Sequence, residues 1–463
     1  MRRSVACGFL LLLFSPLLSQ AQDNPRPLPL TESVTVGSVS ANPLSLGLKD
    51  VVDRAVKNNL ATLLASEDER VATAQRLKDL GELYPRIEAY AASEQRQVNI
   101  AAFGFGGFPG VRQVIGPFSL LDFRASLTHP IIDLERRHNL RESTESQRAS
   151  AFTSANVREL VVLTAIDIYF RVVSSQSRVT AVEAQLSRAQ ALHERAIDLK
   201  DAGVVAGIDV LRAEVERRTL EQRLIQARNL VEKEKLELAR ATGLPLGQRF
   251  VLSDKLPPEG QTAPALDQLI EQAGMVRPDA KAADARIRAA EESVKATKAR
   301  NLPTLNVTGD YGAIGRTPGN SHGTYSLRVE VRVPLFDKTI DADLLEEEAS
   351  VRQRRAERDS LRGRIEMEVR SALLDLQSSE EQLRVARQSL DLARQQLDQA
   401  QDRFAAGVVN NLEVVQAQEA VSLAEEGVIQ GLYGYNIARA LLLRAIGSVE
   451  QSISDFFSGS SIQ

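Results

Sequence analysis

Residues 402–420 read DRFAAGVVNNLEVVQAQEA, and residues 198–215 read DLKDAGVVAGIDVLRAEV. Both stretches contain AGVV, and their glycines are Gly203 and Gly407. A glycine in this position can take the positive φ that ends a helix. The polar or small residues that follow suit the start of another helix. Each stretch is therefore typical of the turn in a helical hairpin.

The segments around these turns favour very long helices. No proline occurs between Pro130 and Pro245 or after Pro334, and a proline inside a helix costs about 3 kcal/mol. Large and small apolar residues alternate at spacings of three and four, as in Leu383, Ala386, Leu390, Ala393, Leu397, Ala400 and Phe404. This pattern predicts coiled-coil hairpins with close helix contacts over residues 131–243 and 335–447.

The two hairpins belong to a longer internal duplication. The offset between Gly203 and Gly407 also relates Pro130 to Pro334, Asp133 to Asp337 and Gly243 to Gly447. The repeat is much longer than the roughly 20–50 residues of solenoid units. We therefore predict repeat 1 at 44–243, a linker at 244–263, repeat 2 at 264–447 and a tail at 448–463.

Before each long helical region the period of the pattern changes to two. In GTYSLRVEVRVP, residues 323–334, apolar residues alternate with Ser, Arg and Glu. This predicts β-hairpins at about 84–130 and about 302–334, with strands near the 9–11 residues of membrane barrels. The pattern also fits a half-buried strand on a soluble core. Charges of both signs nevertheless suit a water-filled lumen, with the apolar side facing lipid. Four strands cannot close a barrel, so the chain should oligomerise.

The amino terminus has the features of an export signal. Residues 1–21 read MRRSVACGFLLLLFSPLLSQA, with two arginines, an apolar run and a small-x-small end at Ala21. A membrane anchor is the alternative, but the run is shorter than the roughly 20 residues that span a bilayer. Cleavage after Ala21 would remove Cys7, the single cysteine. Residues 22–43 are expected to form an extended segment.

Composition argues against several functional classes. The chain has 57 basic and 61 acidic residues, so net basicity gives no support for nucleic-acid binding. The four histidines are scattered without the spacing of metal ligands. We find no catalytic, cofactor-binding or metal-binding constellation. The sequence therefore predicts a protein that is not an enzyme and that has no cofactor.

Nearly the whole mature chain resembles the outer-membrane efflux (TolC) family. The residues that carry the resemblance are LSLGLKDVVDRAVKNN (44–59), VRPDAKAADARI (276–287), LPTL (302–305), VPLFD (333–337), RFAAGVVNNLEVVQAQ (403–418) and ARALLLRAIG (438–447). The resemblance implies a mainly α fold with a membrane β part. It implies a homotrimer with a shared 12-stranded outer-membrane β-barrel and a helical tunnel through the periplasm.

The function implied by the resemblance is a passive exit duct. Such a duct works with a periplasmic adaptor protein and an inner-membrane pump or transporter, in a tripartite efflux or type I secretion system. It is exported and sits in the lipid of the outer membrane. The alternative is a periplasmic coiled-coil adaptor or structural protein without a membrane barrel. The strands at 303–312 and 323–333 discriminate the two, because an adaptor needs no lipid-facing alternation.

The resemblance also assigns roles to residues at the hairpin turns. Gly203, Arg403, Ala406 and Gly407 match the periplasmic tips, where the adaptor docks. Asp209 and Glu413 fall where the family places carboxylates near the closed aperture. Leu199 stands where Arg403 has its counterpart, which departs from the pattern. The alternative is plain helix capping by the glycines, and carboxylates that only complement a helix dipole.

Overall fold

A computed structural model of the chain describes residues 28–104, 110, 112–254, 265–406, 408–409 and 411–450. The predicted signal peptide at 1–21 and Gly407 lie outside the described residues, as do residues 255–263 of the predicted linker and 451–463 of the predicted tail. Within the described ranges, no helix combines the length and the apolar character needed to cross a bilayer.

The first half of the chain runs from a short strand through two long helices. Its longest helix has 68 residues and begins where the Asp133 side chain accepts a hydrogen bond from the Arg136 N–H at 3.0 Å. The elements are β1 (Leu44–Leu46), α1 (Leu48–Asn58), α2 (Leu60–Gly81), β2 (Arg86–Asn99), β3 (Val114–Ile132), α3 (Leu134–Asp201), α4 (Gly207–Thr242) and β4 (Phe250–Leu252).

The second half follows the same order, with two short helices, two strands, a long helix and a shorter one. The long helices have 68 and 67 residues and the shorter ones 36 and 35. The predicted mainly α fold class is confirmed. The elements are α5 (Leu266–Val276), α6 (Pro278–Ala299), β5 (Thr304–Gly315), β6 (Ser321–Arg332), α7 (Thr339–Ala405) and α8 (Asn411–Ala445).

The four long strands form one antiparallel sheet in the order β2-β3-β5-β6. Tyr90 lies opposite Arg124, and Tyr311 lies opposite Tyr325. The strands contain 14, 19, 12 and 12 residues. They are longer than the predicted 9–11, because polar residues beyond the alternating segments, such as Gln95, continue the ladder.

The predicted linker contains an element that the sequence did not indicate. Strand β4 pairs in parallel with β1, with Leu44 opposite Phe250. The extended segment before β1 is also hydrogen-bonded to the helical part, since the Val36 N–H donates to the Gly243 carbonyl at 2.9 Å. Gly243 has φ of +72°, and a Cβ there would lie 2.5 Å from the Val34 carbonyl oxygen. The start of predicted repeat 1 therefore pairs with the predicted linker that follows it.

The helices pack along their small residues. Helix α3 contacts both α4 and α8, and α8 packs on α7. A Cβ on Gly431 of α8 would lie 3.3 Å from the Cα of Leu383, so the glycine permits this close approach. The main core surrounds Tyr169 and Phe170, and a second cluster lies near the turn after α7.

Candidate functional site

The turn between α3 and α4, the first tip, closes with a Schellman motif. Gly203 has φ of +74°, and its N–H donates to the Lys200 carbonyl at 2.9 Å. The next N–H, of Val204, donates to the Leu199 carbonyl at 2.8 Å. These two bonds satisfy carbonyls that a helix end leaves open. Gly203 therefore caps α3, and its docking role stays a prediction.

The turn between α7 and α8, the second tip, repeats part of this arrangement. The Ala406 N–H donates to the Asp402 carbonyl at 3.0 Å, and the Val408 N–H donates to the Arg403 carbonyl at 3.0 Å. Phe404 is buried against α8 in the second core cluster. Its counterpart by the repeat offset is Lys200, which is exposed. The second tip is thus anchored by an aromatic side chain that the first lacks.

Two residues that were assigned separate roles bind each other at the second tip. Arg403 Nη1 lies 2.6 Å from Glu413 Oε1, which joins the end of α7 to the start of α8. Both side chains are partly exposed. The predicted docking residue and the predicted aperture carboxylate therefore form one ion pair.

Asp209 has different surroundings, although it occupies the same repeat position as Glu413. It is only 6% exposed, and its Oδ1 lies 3.5 Å from Arg212 Nη1. The fully buried Asn411 donates from Nδ2 to the Asp209 backbone carbonyl at 3.1 Å. This bond links the starts of α4 and α8, so the two tips are held together. Sequence reasoning identified Asn411 only as a helix-start residue.

A second group of charges lies in the middle of the helical body. Arg277, between α5 and α6, is 2% exposed and binds both oxygens of Asp279, at 3.0 and 2.6 Å. Its Nη1 also donates to Glu368 on α7 at 2.7 Å and to the Ala445 carbonyl at 3.1 Å. Arg277 therefore ties three segments of repeat 2 together. The motif VRPD contained this residue, but nothing in it indicated the partners.

Glu159 of α3 lies close to this network. It is 8% exposed, and burial raises the pKa of its carboxyl to about 7, against the opposing effect of Arg444 and Arg277. Near the first tip, hydrogen bonding by Arg217 lowers the pKa of Glu214 to about 2. Burial between the helices thus brings the pKa of Glu159 close to neutral pH.

Two of the four histidines contact carboxylates between helices. His138 Nδ1 lies 2.7 Å from Glu292 of α6, and His193 Nε2 lies 3.5 Å from Glu214 of α4. In the described ranges no three or more His, Cys, Asp or Glu residues come together as metal ligands would. Each of these two histidines therefore connects α3 to a neighbouring helix.

The four-stranded sheet places its acidic residues and arginines on one face. The strand register places every Asp, Glu and Arg of these strands on one face, here called the polar strand face. The opposite face is apolar and exposed in the single chain, as with Tyr325 at 81% and Leu327 at 72%. Five arginines and five carboxylates share the polar strand face: Arg86, Arg96, Arg124, Arg328, Arg332, Glu88, Glu94, Asp122, Asp310 and Glu330.

Comparisons with known proteins agree with this geometry. Residues 269–448 match the model of the family described as outer membrane efflux protein. The predicted resemblance to the outer-membrane efflux family is confirmed. TtgC of Pseudomonas putida, a probable efflux pump outer membrane protein, is 19% identical over 417 residues, or 86% of this chain and 82% of TtgC. ArpC of the same species, an antibiotic efflux pump outer membrane protein, matches equally well.

Solved channels of this type share the fold. The MtrE outer membrane channel of Neisseria gonorrhoeae is similar with a TM-score of 0.73 and 17% identity, over 89% of this chain and 94% of MtrE. The CmeC outer membrane channel of Campylobacter jejuni gives 0.70 and 19%, over 89% of each chain. These findings support the predicted outer-membrane duct over the periplasmic adaptor.

Proposed function

We propose that three copies of this chain form an outer-membrane exit duct, with their sheets joined into one 12-stranded barrel. The observation that carries the proposal is the separation of faces in the sheet, with all charges on one side and an exposed apolar surface on the other. Alternation of this kind places lipid outside and water inside. The edge strands β2 and β6 are open in one chain, and lipid cannot satisfy open edges.

The helices give the duct its length. A helix of 68 residues, such as α3, is about 100 Å long at 1.5 Å per residue. It continues directly from β3, which ends at Ile132. Substrates would therefore travel from the tips, along the helical walls, to the barrel without a break in the protein.

The tips are the proposed contact with a periplasmic adaptor. Gly203 and Ala406 hold the two turns, and Val204 and Val408 next to them are exposed apolar residues. Gly407 lies outside the described residues, so its role rests on its equivalence with Gly203. The adaptor would connect the duct to an energised inner-membrane pump or transporter, because passive conduction supplies no work.

Asp209 and Glu413 are the proposed aperture carboxylates. Each lies beside an arginine, Arg212 at 3.5 Å and Arg403 at 2.6 Å. In a trimer the aperture would thus carry compensating cations as well as carboxylates. We expect its preference for cations to be smaller than the carboxylates alone would produce.

The test uses two arginine substitutions on opposite faces of the sheet. Leu327→Arg places a charge on the apolar face, which costs roughly 2–4 kcal/mol at the bilayer midplane. Asn306→Arg places the same side chain on the polar strand face, opposite Glu330. We expect trimers in the outer membrane for the wild type and Asn306→Arg, and a severe loss for Leu327→Arg. A water-soluble protein that tolerates both changes would instead be a periplasmic coiled-coil protein.

A further inference from the structure

All four strands contribute to a single cluster on the polar strand face. Arg124 of β3 donates from Nε to Asp122 Oδ1 at 3.1 Å and from Nη1 to Asp310 of β5. Tyr90 of β2 donates to Asp122 Oδ2 at 3.2 Å, and Ser326 of β6 donates to Asp310. One guanidinium is therefore held by two carboxylates, which are themselves held from the outer strands.

The cluster is enclosed by its neighbours, unlike other ion pairs of the sheet. The side chains of Arg124, Asp122 and Asp310 are each about one-fifth exposed, at 20%, 19% and 21%. In the pair of Arg332 with Glu330 the corresponding values are 73% and 41%. A fixed charge in partly desolvated surroundings acts more strongly on its neighbours than one in open water.

A glycine provides the space for this arginine. Gly312 of β5 lies directly opposite Arg124 in the register. A Cβ on Gly312 would lie 2.6 Å from the Cβ of Arg124 and 2.2 Å from the Phe123 carbonyl oxygen. Any larger residue would displace the strand or the arginine. The position of Arg124 is thus built into the pairing of β3 with β5.

We propose that Arg124 determines the ion specificity of the outer-membrane part of the duct, an inference that rests on the proposed function. Its charge offsets one of the two carboxylates that it binds, and with it the polar strand face carries five arginines and five carboxylates. Rings of one charge select ions of the opposite sign. A balanced face selects neither sign, and it suits uncharged or zwitterionic cargo. Charge selection in this duct then falls to the helical aperture.

The experiment measures the reversal potential of purified trimers in a planar bilayer under a potassium chloride gradient. Arg124→Gln would expose two carboxylates in each chain, and we expect the permeability ratio of potassium to chloride to rise by about threefold or more. Arg124→Gln with Asp122→Asn restores the charge balance, so the ratio should return toward that of the wild type. Arg332→Gln is the matched control, because its ion pair with Glu330 is more exposed than the Arg124 cluster, and it should shift the ratio less.

Two further results keep the test decisive. Asp310→Asn leaves Arg124 bound to Asp122 and should move the ratio toward chloride, which tests the inference even if Arg124→Gln does not assemble. Channels of Arg124→Gln and Asp310→Asn that both keep the wild-type reversal potential would overturn it. A wild-type protein that forms no channel would instead overturn the proposed function.

Discussion

Arg277 in the middle of the helical body and Arg403 at the second tip each bind carboxylates, but in different surroundings. The Arg277 side chain is 2% exposed and makes bonds to Asp279, Glu368 and a backbone carbonyl. The Arg403 side chain is 55% exposed and has an ion pair with Glu413. A buried charge is expensive to leave unpaired, whereas an exposed pair contributes little. The ion pairs of Arg277 therefore matter more for the stability of the body than the pair of Arg403 with Glu413 matters for the second tip.

The largest expected effect comes from removing the buried arginine. Arg277→Ala leaves Asp279 without its hydrogen-bonded arginine and leaves Glu368 bound to Arg444, and it should lower the free energy of unfolding by about 3–5 kcal/mol. Arg403→Ala is the control and should lower it by less than about 1 kcal/mol. Chemical unfolding of purified trimers in detergent measures both. Equal losses would show that the body and the tips are held in the same way.

Sequence patterns predicted the helices and strands better than they predicted the burial and partners of individual side chains. The proline-free segments and the AGVV turns were sufficient for the long helical hairpins, because helices depend on local periodicity. Strand β4 was missed because a three-residue parallel pair has no local signal. Asp209 and Glu413 share a repeat position, yet one is buried and the other is not. Environment depends on neighbours such as Asn411, which come from distant parts of the chain.

The second prediction concerns pH in the buried body. The pKa of Glu159 is raised to about 7, so the folded state prefers its protonated form. Its contribution to stability is complete below about pH 4.5 and is lost as the pH rises through about 7. The loss amounts to about 3 kcal/mol, given 1.36 kcal/mol per pKa unit. Glu159→Gln should therefore stabilise the protein at pH 8 but not at pH 4.5.

The measurement is thermal unfolding of wild-type and Glu159→Gln trimers at the two pH values. Glu413→Gln at the tip is the control, since its carboxylate is partly exposed and paired. It should change stability little at either pH. A Glu159→Gln trimer that is less stable than the wild type at pH 8 would contradict the prediction, since it would mean that the ionised carboxylate supports the fold.

A smaller effect is expected where the two tips are joined. Asn411→Ala removes the bond to the Asp209 carbonyl and should lower the local opening free energy by about 1–2 kcal/mol. Hydrogen exchange at residues 205–215 would report this as faster exchange in the first tip, although the change is in the second. Gln416→Ala, an exposed position on the same helix, is the control. If Asn411→Ala accelerates hydrogen exchange in the second tip alone, the two tips open independently.

The smallest effect is expected from the aperture carboxylates themselves. Asp209 and Glu413 would supply six carboxylates to a trimer's narrow end, and such rings favour cations. Arg403 lies 2.6 Å from Glu413 and Arg212 lies 3.5 Å from Asp209, so each charge is partly cancelled. Screening by salt, with a Debye length of about 8 Å, further weakens the attraction of these carboxylates for cations wherever the passage is wide.

We therefore expect the wild-type channel to have a modest preference for cations. The double variant Asp209→Ala with Glu413→Ala should reduce this preference without dissolving the trimer. Reversal potentials in a planar bilayer measure it, and Arg403→Gln should shift them the opposite way by releasing Glu413. If neither variant moves the reversal potential, the two carboxylates serve only to start their helices. The tips would then differ from the body in the stability of their ion pairs and would have no role in ion selection.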